Sequence, residues 1–243
     1  MDVQQYIIWR DEKIKELLAK DKYDFSDLCD IITILRGEGG CPWDREQDHR
    51  SIRKGMIEEC YEVIEAIDTG DPLLLREELG DVLLQIVFHA DIEKDEGRFD
   101  IHDVANDECV KMIHRHPHVF GQVKADTSEQ VLVNWEAIKT AEKQRTSISD
   151  QLRAIPAVLP ALMRAQKVAK KTDSFVDVEL KDLLQETADS LSTLDQFEGT
   201  AEQKEAIGDI LFRMTAICRR MGIEAEEALT MATESVIDHA AKL

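Results

Sequence analysis

The sequence is poor in residues that break helices and in residues that favour sheets. Its 243 residues include 5 prolines and 11 glycines, and aromatics make up only 5%. With Glu, Leu, Ala and Lys abundant, this composition favours helices. No apolar run reaches the ~20 residues that cross a bilayer, and the opening MDVQQYIIWRDEK has no secretory pattern, so no membrane contact is expected. Cys29, Cys41, Cys60, Cys109 and Cys218 form no CxxC pair. An odd set of scattered thiols argues against a disulfide framework or a structural zinc, and for a reducing cytoplasm. Cationic charge is also scarce, with 30 basic residues against 50 acidic ones and a net charge of −20. A binder of nucleic-acid polymers needs the opposite sign, whereas a small anion needs only a bound cation or a local basic cluster.

What is present is helical periodicity. Residues 1–36 read as helical, with Leu28, Ile31, Ile32 and Leu35 at i, i+3, i+4, i+7. RGEGGCPWD (Arg36 to Asp44) breaks the pattern as a loop, and a helix from Ser51 to Ile67 stops at Thr69-Gly70-Asp71-Pro72. Further helices are expected over Leu73–Glu96, Asp103–His114 and Val131–Lys143. No period-2 run competes, so the predicted fold class is all-α. KQRTSISD (Lys143 to Asp150) reads as a linker, and beyond it the first half recurs in outline. ELGDVLLQIVF (Glu78 to Phe88) returns as AIGDILFRMTA (Ala206 to Ala216), and EECYE (Glu58 to Glu62) as QETAD (Gln185 to Asp189). Two helical repeats account for this.

The chemistry is carried by carboxylates. Glu59 and Glu62 lie one turn apart on the first of the paired helices, beside an apolar stripe of Ile57, Cys60, Tyr61 and Ile64. The next helix is apolar around nearly its whole circumference, which predicts burial, yet it opens with Glu78 and Asp81 one turn apart. Carboxylates are seldom buried unless paired or metal-bound. If the helices pack antiparallel across the Gly70–Pro72 turn, Glu59, Glu62, Glu78 and Asp81 converge, and such charges need a cation. All-oxygen ligation suits Mg²⁺ or Mn²⁺. A helix-lined di-iron site would need two ExxH elements, and the one present, Glu46–His49, lies outside these helices. Gly80 is expected to allow close helix approach.

EExxE followed by ExxD, together with GCPWD, EGRFD, RHPHVF and NWEAIK in order, closely resembles the MazG family of all-α nucleoside triphosphate pyrophosphohydrolases. The resemblance spans about Leu28 to Lys143 and is looser from Pro160 onward. It implies a helical-bundle homodimer that hydrolyses nucleoside triphosphates to monophosphate and pyrophosphate with Mg²⁺, Mn²⁺ being able to substitute. It implies Glu59, Glu62, Glu78 and Asp81 as metal ligands and Glu58 as the residue that positions or deprotonates water. Lys111 and Arg115 resemble phosphate contacts, with Lys54 a further candidate, while Trp135 and Lys139 resemble the segment bracketing the base. The expected organisation is an N-terminal extension (1–23), a catalytic domain (24–145) and a degenerate second domain (152–243). In that second domain ExxD has become Ala206 and Asp209, which predicts a structural or dimer-forming role. Two other readings remain open on sequence: a non-catalytic helical interaction module, and a narrower dUTP or phosphoribosyl-ATP pyrophosphohydrolase.

Overall fold

The computed structural model describes residues 2–142, 147–172, 178–197 and 199–242, and the described residues contain helices and no strand. The fold is all-α. In chain order the helices are α1 (Val3–Leu18), α2 (Phe25–Arg36), α3 (Pro42–Arg45), α4 (His49–Thr69), α5 (Pro72–Asp95), α6 (Ile101–Arg115), α7 (Pro117–Phe120) and α8 (Ser128–Glu142). They continue as α9 (Ile148–Arg153), α10 (Ala161–Thr172), α11 (Leu180–Ser192), α12 (Thr200–Arg220) and α13 (Ala225–Ala240). The chain divides into two compact units, one reaching Trp135 and one beginning at Glu136. Of the expected linker, 143–146 lie outside the described residues, and the rest is largely α9, capped by Ser147.

Local chemistry sets the helix boundaries. The single helix expected over 1–36 is two, because Asp24 accepts from the backbone of Ser26 and Asp27 and starts α2 afresh. Part of the expected loop is also helical: Pro42 begins the short α3. Asp48 caps α4 in a capping box with Ser51, and α4 ends at Gly70, whose φ of 67° is a left-handed conformation that glycine adopts freely. Asp71 then caps α5 with Pro72 in its first turn. The two-residue reversal makes α4 and α5 an antiparallel hairpin, the central pairing of the first unit. Ile32, Ile52, Val87, Phe88 and Ile92 form its core, joined by Leu28, Leu35, Leu84 and Ile101. In the second unit α10, α11, α12 and α13 pack together. The buried Gln166 amide of α10 holds the turn between α12 and α13, donating to the Ile223 carbonyl and accepting from the Ala225 amide.

Two expectations about α5 are overturned. Its apolar circumference is not wholly buried, since Leu73, Leu79 and Leu83 are exposed. No atom lies within 4 Å of where a side chain on Gly80 would begin, so that glycine does not serve close helix approach. The close approach is at Gly55 instead, where a Cβ would stand 2.8 Å from the Gln85 amide nitrogen.

The N-terminal helix docks by fitting into absences. Tyr6 Oη donates to the Thr33 carbonyl (3.2 Å) and Arg10 Nη1 to the Glu38 carbonyl (2.7 Å). A Cβ on Gly37 would fall 1.8 Å from Tyr6 Oη, and one on Gly39 (φ 74°) 2.2 Å from Arg10 Nη1. Gly37→Ala is therefore expected to lift Tyr6 from its seat and cost about 1–3 kcal/mol, the usual range for overpacking. Denaturant melts together with faster hydrogen exchange in α1 would check it; unchanged exchange at Tyr6 and its neighbours would refute it.

Candidate metal centre

The α4–α5 hairpin places side chains in matched rungs, because residues one turn apart share a face. Glu59 from α4 meets Glu78 and Asp81 from α5, and one carboxylate oxygen from each lies within 4.8 Å of the others. Glu62 lies within hydrogen-bonding reach of both Glu59 and Glu78. Glu78 is 8% exposed and Glu59 and Asp81 are half-buried, whereas Glu62 is exposed. All four residues that the sequence singled out are thus brought to one patch of the hairpin, three of them in a tight group and Glu62 at its edge.

The patch is electrostatically unfinished. No Lys or Arg pairs with any of the four among the described residues. Burial raises the carboxyl pKa of Glu59 above the ordinary carboxylate range, with Glu62 and Asp81 adding to the shift. Glu78 is raised in the same way, first by burial and then by Glu62. Two unit charges at 4.8 Å repel by about 3–4 kcal/mol at an effective dielectric of ~20. A proton relieves this, and so does a divalent cation. The donor set is all oxygen, which would suit a hard divalent cation such as Mg²⁺.

The other residues named from the sequence are placed less uniformly. Glu58 accepts an ion pair from Lys54 at 2.6 Å along the exposed side of α4, so these two candidates face each other. Lys111 pairs with Glu108 one turn back on α6. Arg115 is buried, with its guanidinium 5.4 Å from the centre of the Trp135 ring. Lys139 pairs with Glu136 at 3.5 Å. Among the described residues His116 and His118 of RHPHVF join no three-ligand group; His116 Nδ1 instead bonds the Met112 carbonyl at the end of α6.

Two polar networks escaped the sequence reading. One is the pair Arg36–Asp91, with each side chain 8% exposed, reinforced by Thr33 Oγ1 donating to Asp91. The other is the contact of His49 with His89 and Glu93. The signal for the second was present, since Asp81, Gln85, His89 and Glu93 recur every four residues down one face of α5.

Comparison with known proteins identifies the family. Residues 47–120, which hold all of α4 and α5, match the MazG nucleotide pyrophosphohydrolase domain. The chain is 38% identical over 222 residues to the nucleoside triphosphate pyrophosphohydrolase/pyrophosphatase MazG of Thermotoga maritima, covering 90% of this chain and 85% of that protein. It is 40% identical over 221 residues to the nucleoside triphosphate pyrophosphohydrolase of Escherichia coli, covering 85% and 82%. The uncharacterized protein YabN of Bacillus subtilis is 44% identical over 218 residues, and there the match spans 87% of this chain but only 44% of the relative. A likeness this extensive to full-length relatives settles the ancestry, and the chain belongs to the MazG family of nucleotide pyrophosphohydrolases.

Proposed function

We propose that the protein hydrolyses nucleoside triphosphates to nucleoside monophosphate and pyrophosphate, with Mg²⁺ held by Glu59, Glu62, Glu78 and Asp81 and Mn²⁺ able to substitute. The observation that carries this is the convergence of the half-buried Glu59 and Asp81 on the buried Glu78, with no Lys or Arg partner among the described residues. A bound divalent ion supplies charge for the phosphates and lowers the pKa of a bound water. The chain's own groups do the remaining work. Glu58 orients or deprotonates the attacking water, exchanging its Lys54 partner for that task. Lys111 and Arg115 take the phosphate oxygens, giving up contacts with Glu108 and the Trp135 ring. Trp135 offers the base an aromatic face and Lys139 brackets it; stacking is indifferent to base identity, which supports broad specificity and a role in clearing the nucleotide pool.

Water attacks a phosphorus beside the α–β bridge, the bond from that phosphorus to the bridging oxygen breaks, and monophosphate and pyrophosphate separate. Single-turnover hydrolysis in ¹⁸O-water tests this directly. The label should enter either the monophosphate or the pyrophosphate, which identifies the phosphorus attacked, and activity should vanish with chelator and return with Mg²⁺. Nucleoside diphosphate with orthophosphate as products would overturn the assignment.

The second unit is read as structural. Two of its counterparts of the acidic motif are engaged within the chain: Arg213 Nη1 pairs with Glu186 at 3.0 Å, and Gln185 donates to Asp189 at 2.9 Å. These groups therefore have no call on a metal. A homodimer is the assembly we favour, because Ile57, Tyr61 and Ile64 of α4 and Leu79 and Leu83 of α5 are all exposed on this chain. Net charge argues against nucleic-acid polymers as partners. No helix among the described residues is long and apolar enough to cross a membrane, and the scattered free thiols suit the cytoplasm.

A further inference from the structure

At the end of the hairpin away from the carboxylates, His49 of α4 faces His89 of α5. Their Nδ1 atoms are 2.7 Å apart, with ring centres 5.0 Å apart and planes inclined by 12°. The centre separation exceeds the nitrogen separation by about two ring radii, so both nitrogens lie on the line joining the rings. The rings therefore meet head to head, nearly coplanar, and are not stacked. On its other side His49 Nε2 is 2.6 Å from Glu93 Oε1. Arg98, in the turn after α5, grips the same carboxylate through Nε and Nη2. Arg98 first, and then His49, hold the Glu93 carboxyl at about 2 against the cost of burial, so it is ionised and only accepts. His49 Nε2 must then carry a proton.

The head-to-head contact admits one proton and no other number. Two bare nitrogen lone pairs repel, and so do two N–H groups. With one proton, either His89 donates to a neutral His49, or a doubly protonated His49 donates to His89. We propose that His49 and His89 form a one-proton clamp fastening the start of α4 to α5, which opens when acid places a second proton between the two Nδ1 atoms.

The charged groups around the pair agree with this. From α5 and its following turn, Glu93 and Arg98 face His49, with Glu96 behind Arg98. α2 addresses another side of α5, where Arg36 meets Asp91 and Asp95. Beside α6, Asp100 and His102 line a small cavity with Asp91 and Lys94. None of these offers His89 a carboxylate. Burial, and then the neighbouring His49, hold the His89 pKa below the ordinary histidine value. The sign follows from linkage. Below about pH 6.5 the unfolded chain takes up a proton that folded His89 refuses, so stability is full above that pH and declines as pH falls below it. His49 is ten residues from Glu59, about 15 Å along α4 at 1.5 Å per residue, so the clamp is separate from the acidic cluster.

The test uses the full chain in chelator, comparing wild type with His89→Gln and His89→Asn, whose amides can donate to or accept from His49 in any state. The acidic cluster contributes equally to each protein and cancels in the comparison. The folding constant of wild type relative to either variant should fall by up to ~10-fold between pH 7.5 and 5.5, the limit for one suppressed histidine. Imidazole ¹⁵N spectra at pH 7.5 should show one protonated and one bare Nδ1. A pH-independent ratio in both variants, or two bare Nδ1 atoms, would overturn the clamp. So would stoichiometric Zn²⁺ binding that shifts both rings in Glu59→Gln, since a metal and not a proton would then join them.

Discussion

Glu59→Gln and Asp81→Asn are each expected to lower pyrophosphate release by more than about 100-fold, a loss that groups merely supporting a metal's ligands already reach. The same substitutions should leave the metal-free protein as stable as wild type or more so. Each removes a negative charge from a group of oxygens that lie within 4.8 Å of one another with no Lys or Arg partner among the described residues. The pH dependence has a definite sign. Because the Glu59 and Glu78 carboxyls are raised in the folded chain, the folded state holds protons that the unfolded chain gives up near pH 4.5. Stability of the metal-free protein is therefore lost as pH rises through the raised values, and Glu59→Gln should blunt that loss. Metal binding displaces those protons, so affinity should increase with pH over the same window. Steady-state assays and thermal melts in chelator and in Mg²⁺ check the two halves separately. Glu186→Gln, made alongside, should keep wild-type turnover; if it fails and Glu59→Gln works, the active site belongs to the second unit.

Asp91→Ala should be the most damaging single change to stability. Its carboxylate receives Arg36 Nη1 at 2.5 Å and Thr33 Oγ1 at 2.6 Å, with Lys94 Nζ at 3.6 Å. Arg36 lies over the Phe88 ring, and its Nε has no hydrogen-bond partner among the described residues. Removing the carboxylate strands a guanidinium that is 8% exposed, and breaking such a buried pair costs about 3–5 kcal/mol. Asp95 still holds Arg36 Nη2 at 2.9 Å, which points to the lower end of that range. Chemical denaturation measures the loss, and a change under 1 kcal/mol would show that the ion pair is not holding α2 to α5. Replacing both partners by apolar residues of similar volume should cost much less than Asp91→Ala alone, because no uncompensated charge remains.

The all-α class and the α4–α5 hairpin were legible in the sequence, since helix periodicity and the Gly70–Asp71–Pro72 reversal are local signals. The meeting of Glu59, Glu78 and Asp81 was also legible, because an antiparallel hairpin with a two-residue turn fixes which residues oppose each other. What depends on contacts far apart in the chain was not. Nothing near Gly37 announces that Tyr6 will occupy the space a side chain would need. Nothing near Arg36 names Asp91 as its partner. Gly80 misled because a glycine inside a helix signals freedom of approach without saying whether anything approaches. Leu83 misled because apolarity marks a surface that avoids water without saying what, within the chain, covers it.

The docking of α1 has a consequence for how this protein tolerates mutation. The hydrogen bonds that Tyr6 and Arg10 donate end on main-chain oxygens, which every amino acid possesses, while a further tie of α1, Lys13 to the Asp30 carboxylate at 3.2 Å, lies outside the Arg36–Gly40 segment. Selection on the receiving loop therefore acts on missing atoms more than on particular side chains. Glu38, whose carbonyl is the acceptor, should drift with little penalty, while Gly37 and Gly39 should admit almost no replacement. A saturation library across Arg36 to Gly40 would then show glycine positions that reject everything flanking a residue that accepts nearly anything. That alternation would be the genetic signature of a helix held by the backbone of its neighbour.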